Sequence, residues 1–205
     1  MKTHRMFSVL SSSVVCILLI SGCFGNQPKT TIQDILAKAQ DTGPVQYDVI
    51  TTSIIYGNAS NLTKHIWESP PYMKINISAD QGYSIFILRP DGVYHNTPGT
   101  NEFSRSNITF PEPSLIDQST QLLNMSYHIV GNETFEGHAT TILQYSESNA
   151  GNSITTKEWI WNDKGIPLKT QITYLVGGQP MVSTTMVNTN FVFGPIPMSE
   201  FNVNT

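Results

Sequence analysis

Cysteine is nearly absent from this sequence, and the two cysteines that occur lie close to its start. Cys16 and Cys23 are the only ones among 205 residues. No partner cysteine remains in the roughly 180 residues that follow, so a disulfide framework is excluded there. Stability must come from a packed core, and a chain of this length can build one.

Charge is also scarce, and basic residues form no cluster. The chain has 11 Lys and Arg against 15 Asp and Glu. Removal of the first 22 residues would take away Lys2 and Arg5 and leave nine basic residues, which gives a net charge of −6. A nucleic-acid-binding protein needs a basic patch to contact phosphates, so this class of partner is excluded.

Catalytic and metal-binding motifs are missing as well. The sequence contains no G-x-S-x-G, G-x-x-x-x-G-K or H-E-x-x-H pattern. None of the five histidines stands at metal-ligand spacing from a second histidine, a cysteine or a carboxylate. Glu133 and Glu136 could form an acid pair around a predicted turn, but a solvated hairpin is the simpler interpretation. We therefore expect a protein that is not an enzyme and needs neither a cofactor nor a metal.

The first 22 residues have the composition of a secretory signal peptide. Lys2, His4 and Arg5 precede a mostly apolar stretch, which ends in Ser21-Gly22. A basic start, about 15 apolar residues and small residues at the end are typical of such signals. A bilayer span needs roughly 20 apolar residues, and this stretch is shorter and interrupted by serines.

The end of that stretch, Ile20-Ser21-Gly22-Cys23, resembles the lipobox of prokaryotic lipoproteins. The resemblance implies cleavage before Cys23 and attachment of lipid to its thiol, followed by a tether over residues 23–29. The alternative is an uncleaved apolar anchor with a bystander cysteine. Both interpretations attach the protein to the extracytoplasmic face of the cell membrane.

Six asparagines fit the N-glycosylation pattern N-x-[ST]. These candidate sites are Asn58, Asn61, Asn76, Asn107, Asn124 and Asn132. A chain rich in Asn, Ser and Thr produces such patterns by chance, yet their number is in keeping with an exported surface glycoprotein, for which an archaeal cell is one host.

Two segments have the periodicity of helices. Ile32, Ile35, Leu36 and Ala39 recur at the spacing of one helix face, and Gly43-Pro44 ends this helix. The second helix begins with a capping-box pattern at Ser114 to Asp117. Its expected apolar face consists of Leu115, Ile116, Ser119, Leu122 and Leu123.

The other segments alternate with period two, which predicts strands. The predicted strands are 45–51, 73–78, 82–89, 93–96, 102–106, 125–130, 138–146, 154–162, 168–176 and 181–193. Pro98-Gly99, Gly131-Asn132, Asn162 to Gly165 and Gly177-Gly178 have the composition of hairpin loops. The sequence predicts an α+β, mainly β, fold in which both helices cover the concave face of a strongly curved antiparallel half-barrel sheet.

Four loose motifs, in order along the chain, resemble those of the LolA/LolB-like outer-membrane lipoprotein-carrier superfamily. They are Asp91 to Tyr94, Val130 to His138, Trp159 to Lys169 and Asn190 to Phe201. The resemblance implies one LolA-like domain over residues 30–205, with an apolar cavity that takes an acyl chain of a lipid or lipoprotein. Candidate cavity residues are Met73, Ile75, Ile77, Ile154 and Ile160.

Three functions remain open at this point. The first is a lipid-anchored carrier that binds a lipid or lipoprotein acyl chain. The second is an envelope-stress sensor of the RseB type, which binds a protein partner. The third is a structural surface glycoprotein. The soluble carrier of the superfamily has an arginine on an early strand, and 45–56 contains none, so an energy-driven shuttle is not expected.

The lipobox gives the first testable prediction. Cys23→Ser should release the full-length protein from the membrane fraction, because the serine hydroxyl cannot take the thioether-linked lipid. Cys16→Ser, within the apolar stretch, is the matched control and should leave the protein membrane-bound. Retention of the Cys23→Ser protein in washed membranes would contradict lipidation.

Overall fold

The computed structural model describes residues 30–79, 82–96, 100, 102–107 and 112–203. The predicted signal peptide, Cys23, the tether and the Pro98-Gly99 turn lie outside these residues. The chain divides into two units, residues 1–31 and 32–205. All helices and strands of the described chain belong to the second unit.

Two α-helices and eleven strands make up the described fold. The helices are α1 (Ile32–Ala37) and α2 (Leu115–Leu123), and a 3-10 turn, Lys38–Asp41, extends α1. The first six strands are β1 (Val45–Ile55), β2 (Asn58–Ser69), β3 (Tyr72–Ala79), β4 (Gly82–Arg89), β5 (Gly92–Asn96) and β6 (Phe103–Ser106). The other five are β7 (His128–Phe135), β8 (His138–Asn149), β9 (Asn152–Trp161), β10 (Pro167–Val176) and β11 (Gln179–Phe193).

All eleven strands form one antiparallel sheet in the order β6-β5-β4-β3-β2-β1-β11-β10-β9-β8-β7. The first and last strands pair at its centre, from Val45 opposite Phe193 to Ile55 opposite Val182. Each half is a meander, and β6 and β7 form the two outer edges. The sheet is therefore open and curved, which confirms the predicted half-barrel class.

Helix α2 begins where its sequence predicts. The Ser114 hydroxyl accepts the Asp117 N–H at 3.0 Å, and the Asp117 carboxylate accepts the Ser114 N–H at 3.4 Å. This reciprocal capping box satisfies two amides that have no partner inside the helix. Leu115 and Leu122 are buried as expected, but Leu123, the last helical residue, is 38% exposed, so its place on the buried face was predicted wrongly.

Both helices bury their apolar sides against one face of the sheet, the concave face. Leu115 of α2 belongs to a first core cluster with Tyr47, Ile66 and Ile75 of three successive strands. A second cluster joins residues of both helices to β8 and β9: Ile32, Ile35, Leu36, Leu122, Leu143 and Ile160. The prediction that the two helices cover the concave face is thus confirmed.

The C-terminal segment covers part of the opposite, convex face. A 3-10 helix, Met198–Phe201, packs Phe201 against Tyr72 with ring centroids 5.6 Å apart. Glu200 pairs with Lys74 at 2.8 Å. Because Lys74 alternates with Met73 and Ile75 along β3, this contact lies on the side of the sheet away from the helices.

Two strand predictions need correction. Gly131-Asn132 was expected to form a hairpin loop, but it lies inside β7, and the turn falls at Glu136-Gly137. A register shift between Ile129 and Gly131 takes up an extra residue, so the strand continues past the glycine. Strand β2 was not predicted at all, because its first half, Asn58 to Thr63, is too polar to show an apolar alternation.

Gly165, in the turn between β9 and β10, allows α1 to pack closely against this turn because it has no side chain. Its φ is +72°, and a Cβ there would lie 2.2 Å from the Ile35 carbonyl oxygen. Gly165→Ala should therefore lower the free energy of unfolding by about 3 kcal/mol or more in urea titrations. Gly178→Ala, at φ +81° with nothing within 4 Å, should cost only about 1 kcal/mol. Equal losses would contradict this close contact.

Candidate functional site

The concave face continues beyond the two core clusters as a groove in which apolar side chains lie among the polar side chains of Thr51, Lys64 and Thr184. Thr51 lies two residues past buried Val49, and it pairs with Leu62 on β2 and Met186 on β11. Residues directly opposite one another in a ladder share a face. On the same face, Phe86 lies opposite Ile75, Ile77 lies opposite Lys64, and Ile172 lies opposite Thr184. The apolar residues of the concave groove are therefore Leu62, Ile77, Phe86, Ile172 and Met186.

The groove remains because the helices are short. Helices of six and nine residues span about 9 and 14 Å, whereas eleven strands spaced about 4.8 Å apart form a sheet roughly 50 Å wide before it curls. Ile77 and Met186 still pack against the first core cluster. All five groove side chains are partly exposed, so apolar side chains extend from the core onto an accessible part of the concave face.

The five candidate cavity residues have different surroundings. Ile75 and Ile160 are 2% and 0% exposed and lie in the two separate core clusters. Ile77 lies in the concave groove. Ile154, near the start of β9, is 40% exposed. Met73 lines a distinct cavity beside α2.

The cavity beside α2 that Met73 lines, which we call the Glu68 cavity, has a volume of about 350 Å³. It lies between the start of α2, the β2–β3 turn and β4. Its apolar wall consists of Pro70, Pro71, Tyr72, Met73, Leu88 and Ile116. The polar side chains around it include Glu68, Glu112, Ser114 and Asp117.

Glu68 is a carboxyl group buried on the concave face. It is 2% exposed, and its Oε2 accepts the Leu115 N–H at 3.1 Å and the Tyr47 hydroxyl at 3.4 Å. Burial, the largest influence, raises the pKa of Glu68 to about 7, although the Leu115 N–H and the Tyr47 hydroxyl oppose that rise. The side chain thus changes charge near neutral pH within the core.

Several contacts fix the start of α2 over this carboxyl group. Lys64 of β2 donates to both oxygens of Glu112, at 2.5 and 2.8 Å, just before the helix. Farther along α2, the buried Ser119 hydroxyl lies 2.8 Å from the Gly165 carbonyl oxygen. Side chains of β2 thus hold the N-terminus of α2, and the β9–β10 turn holds its middle. Sequence reasoning missed Glu68, although its alternation with Ile66 was the available signal.

The sequons differ in accessibility. Five candidate asparagines are exposed: Asn58, Asn61, Asn107, Asn124 and Asn132. Asn76 is partly buried, and its side-chain oxygen is buried without a hydrogen-bond partner.

Within the described residues, no three or more His, Cys, Asp or Glu side chains are grouped so that they could hold a metal ion. No helix there has the length and apolar character needed to span a membrane. Trp159 and Trp161 have separate environments: Trp159 donates to Glu133, and Trp161 packs against Phe191 and Phe193.

The fold is similar to several solved structures. A LolA superfamily protein from Nitrosomonas europaea is 11% identical, with 84% of this chain and 98% of that chain covered and a TM-score of 0.42. The lipoprotein LppX from Mycobacterium tuberculosis is 14% identical, with the same coverage and a TM-score of 0.47. A chain of the Pseudomonas aeruginosa MucA/MucB complex is 15% identical over 84% of this chain and 61% of that chain, with a TM-score of 0.49.

These structures include a member of the superfamily that the ordered motifs predict. No protein-family model and no curated protein matches the chain significantly. The similarity concerns the course of the sheet, and no ligand, partner or residue role follows from it.

Glu68 should make stability depend on pH. Its pKa is about 7 in the folded protein against an ordinary value of 4.5, so the folded state holds the proton more tightly. The free energy of unfolding should therefore fall by about 3 kcal/mol as pH rises from 4.5 to 7. Glu68→Gln should remove this contribution from urea titrations across that range.

The exposed carboxylate Glu147 of β8 provides the control for loss of one negative charge. Glu147→Gln should follow the wild-type pH profile. Parallel profiles for wild type and Glu68→Gln would show that the buried carboxyl group does not hold an extra proton.

Proposed function

We propose that this chain is a lipid-anchored, extracytoplasmic binding protein that holds an acyl chain of a lipid or lipoprotein in the concave groove. The observation that carries the proposal is the set of partly exposed apolar side chains in the concave groove, namely Leu62, Ile77, Phe86, Ile172 and Met186. These residues lie beyond the core that the two helices cover. Partly exposed apolar side chains that come from five neighbouring strands and lie near one another on one face are typical of a binding surface.

The energetics suit an acyl ligand. Each buried CH₂ group contributes about 0.8 kcal/mol, so even a ten-carbon chain offers about 8 kcal/mol before the costs of association are subtracted. The five members of the groove have branched, aromatic and thioether side chains, and Lys64, which lies opposite Ile77 on the same face, is paired with Glu112. Methionine adapts readily to ligands of different shape, which favours recognition of a class of chains over one specific lipid.

The anchor and the groove would serve the same purpose. A lipidated Cys23 would hold the domain at a membrane, where acyl chains are available. Binding requires no catalytic group, in keeping with the missing catalytic motifs. The function we propose is therefore to hold and present lipid, and a protein partner is left unassigned.

A fluorescent fatty acid tests this proposal. The protein lacking residues 1–23 should bind the probe with an increase in its emission, and unlabelled long-chain fatty acid should displace it. Ile77→Gln introduces a polar amide into the groove and should weaken binding by about tenfold, because an unpaired buried amide costs 1 kcal/mol or more.

The neighbouring Ser78 provides a matched control, since it lies on the opposite face of β3 and is exposed. Ser78→Gln should bind the probe as the wild type does. Failure of wild-type protein to bind any acyl probe would exclude the acyl-binding function. Equal loss in both variants would show that the site is not the concave groove.

A further inference from the structure

The Glu68 cavity combines features that the acyl-binding proposal does not use. At about 350 Å³ it is near the lower end of the roughly 300–1,000 Å³ typical of ligand pockets, so it suits a small group better than a whole lipid. Leu88 of the cavity wall lies two residues from Phe86 of the concave groove on the same face of β4, and both side chains are partly exposed. A ligand in the groove could therefore extend one end toward it.

The ionisable side chains that line this cavity are all acidic. Its lining includes three carboxyl groups, Glu68, Glu112 and Asp117, and no Lys, Arg or His. Glu112 is neutralised by Lys64, and Asp117 is used in the capping box of α2. None of the ion pairs formed among the described residues includes Glu68.

Glu68 is thus a buried carboxyl group that has two hydrogen-bond donors but no positively charged side chain as a partner. The Tyr47 hydroxyl and the Leu115 N–H reach one of its oxygens, Oε2. Neutral donors offset only part of the cost of burying a charge, and buried carboxylates are usually paired with a cation. A positively charged ligand would supply the missing partner.

We propose that the Glu68 cavity is a binding site for an organic cation, a protonated amine on an apolar body, with Glu68 as its counter-ion. This inference rests on the proposed function, since it assigns the polar end of a ligand whose apolar part lies in the groove. The ammonium group would lie next to Glu68, and the adjoining carbons would contact the Met73 and Leu88 side chains. Glu68 and Asp117 would repel an anionic ligand, because no basic side chain lines the cavity to compensate for their charge.

Three probes with the same ten-carbon chain separate the head group from the tail: decylamine, decanol and decanoate. Calorimetric titration of the protein lacking residues 1–23, at pH 8.5, compares their affinities. The amine is protonated there, as lysine is with a pKa of about 10.4. Decylamine should bind about tenfold more tightly than decanol, because a charge-assisted hydrogen bond replaces a neutral one, and decanoate should bind most weakly.

Glu68→Gln keeps an oxygen acceptor for the Leu115 N–H but removes the charge. It should abolish the preference for decylamine over decanol while leaving decanol affinity within about twofold. The matched control is Glu158→Gln: Glu158 is a second buried carboxyl group, 8% exposed and bonded to the Tyr145 hydroxyl, away from this cavity. This variant should keep the full amine preference.

Proton release gives an independent readout. At pH 6 Glu68 is largely protonated in the free protein. A tenfold preference for its ionised form lowers the pKa of Glu68 by about one unit, so binding of the ammonium group should expel about 0.4 of a proton, measured by titration in buffers of different ionisation enthalpy. The other charged groups facing it are Lys64, Glu112 and Asp117, and the Tyr47 hydroxyl also faces it. Glu68→Gln should release none.

The outcomes separate the two proposals. If none of the three probes binds, the acyl-binding function fails and this inference fails with it. If decanol binds as tightly as decylamine, or if Glu68→Gln keeps the amine preference, the cation site is excluded while the acyl-binding function stands. Tighter binding of decanoate than of decylamine would reverse the assigned charge.

Discussion

The structure depends on one constraint: the apolar face of an eleven-stranded antiparallel sheet has to be removed from water. Curvature removes part of that face, and α1 and α2 cover another part through Leu36, Leu115 and Leu122. The helices are far shorter than the sheet is wide, so the remaining apolar side chains line a groove. A fold that buried its whole concave face would have no site of this kind.

Two buried carboxyl groups on that same face interrupt the otherwise apolar core. Glu68 and Glu158 are both buried, both have a raised pKa because of burial, and each accepts a hydrogen bond from a tyrosine hydroxyl. Removing a carboxylate from water costs stability. Glu68 offsets part of this cost by holding the first N–H of α2, which links the position of the helix to the charge state of the cavity next to it.

Local patterns in the sequence predict much of this fold. Period-two alternation identifies the central strand through Val45, Tyr47 and Val49, and the Ser114 capping box gives the start of α2. The Glu68 cavity depends instead on the register of β2 against β3 and on how α2 docks, which are non-local. Strand β2 escaped prediction because Asn and Ser replace apolar residues in its first half, and the bulge at Ile129 hid the true end of β7.

Native mass spectrometry tests the central claim most directly. Protein lacking residues 1–23, expressed with a normal lipid supply and purified without detergent, should carry a non-covalent adduct with the mass of a long-chain lipid. Denaturation should release the adduct, and an added acyl chain should exchange with it. Protein that is free of lipid after native purification, and that takes up no added acyl chain, would contradict a lipid-binding role for the concave groove.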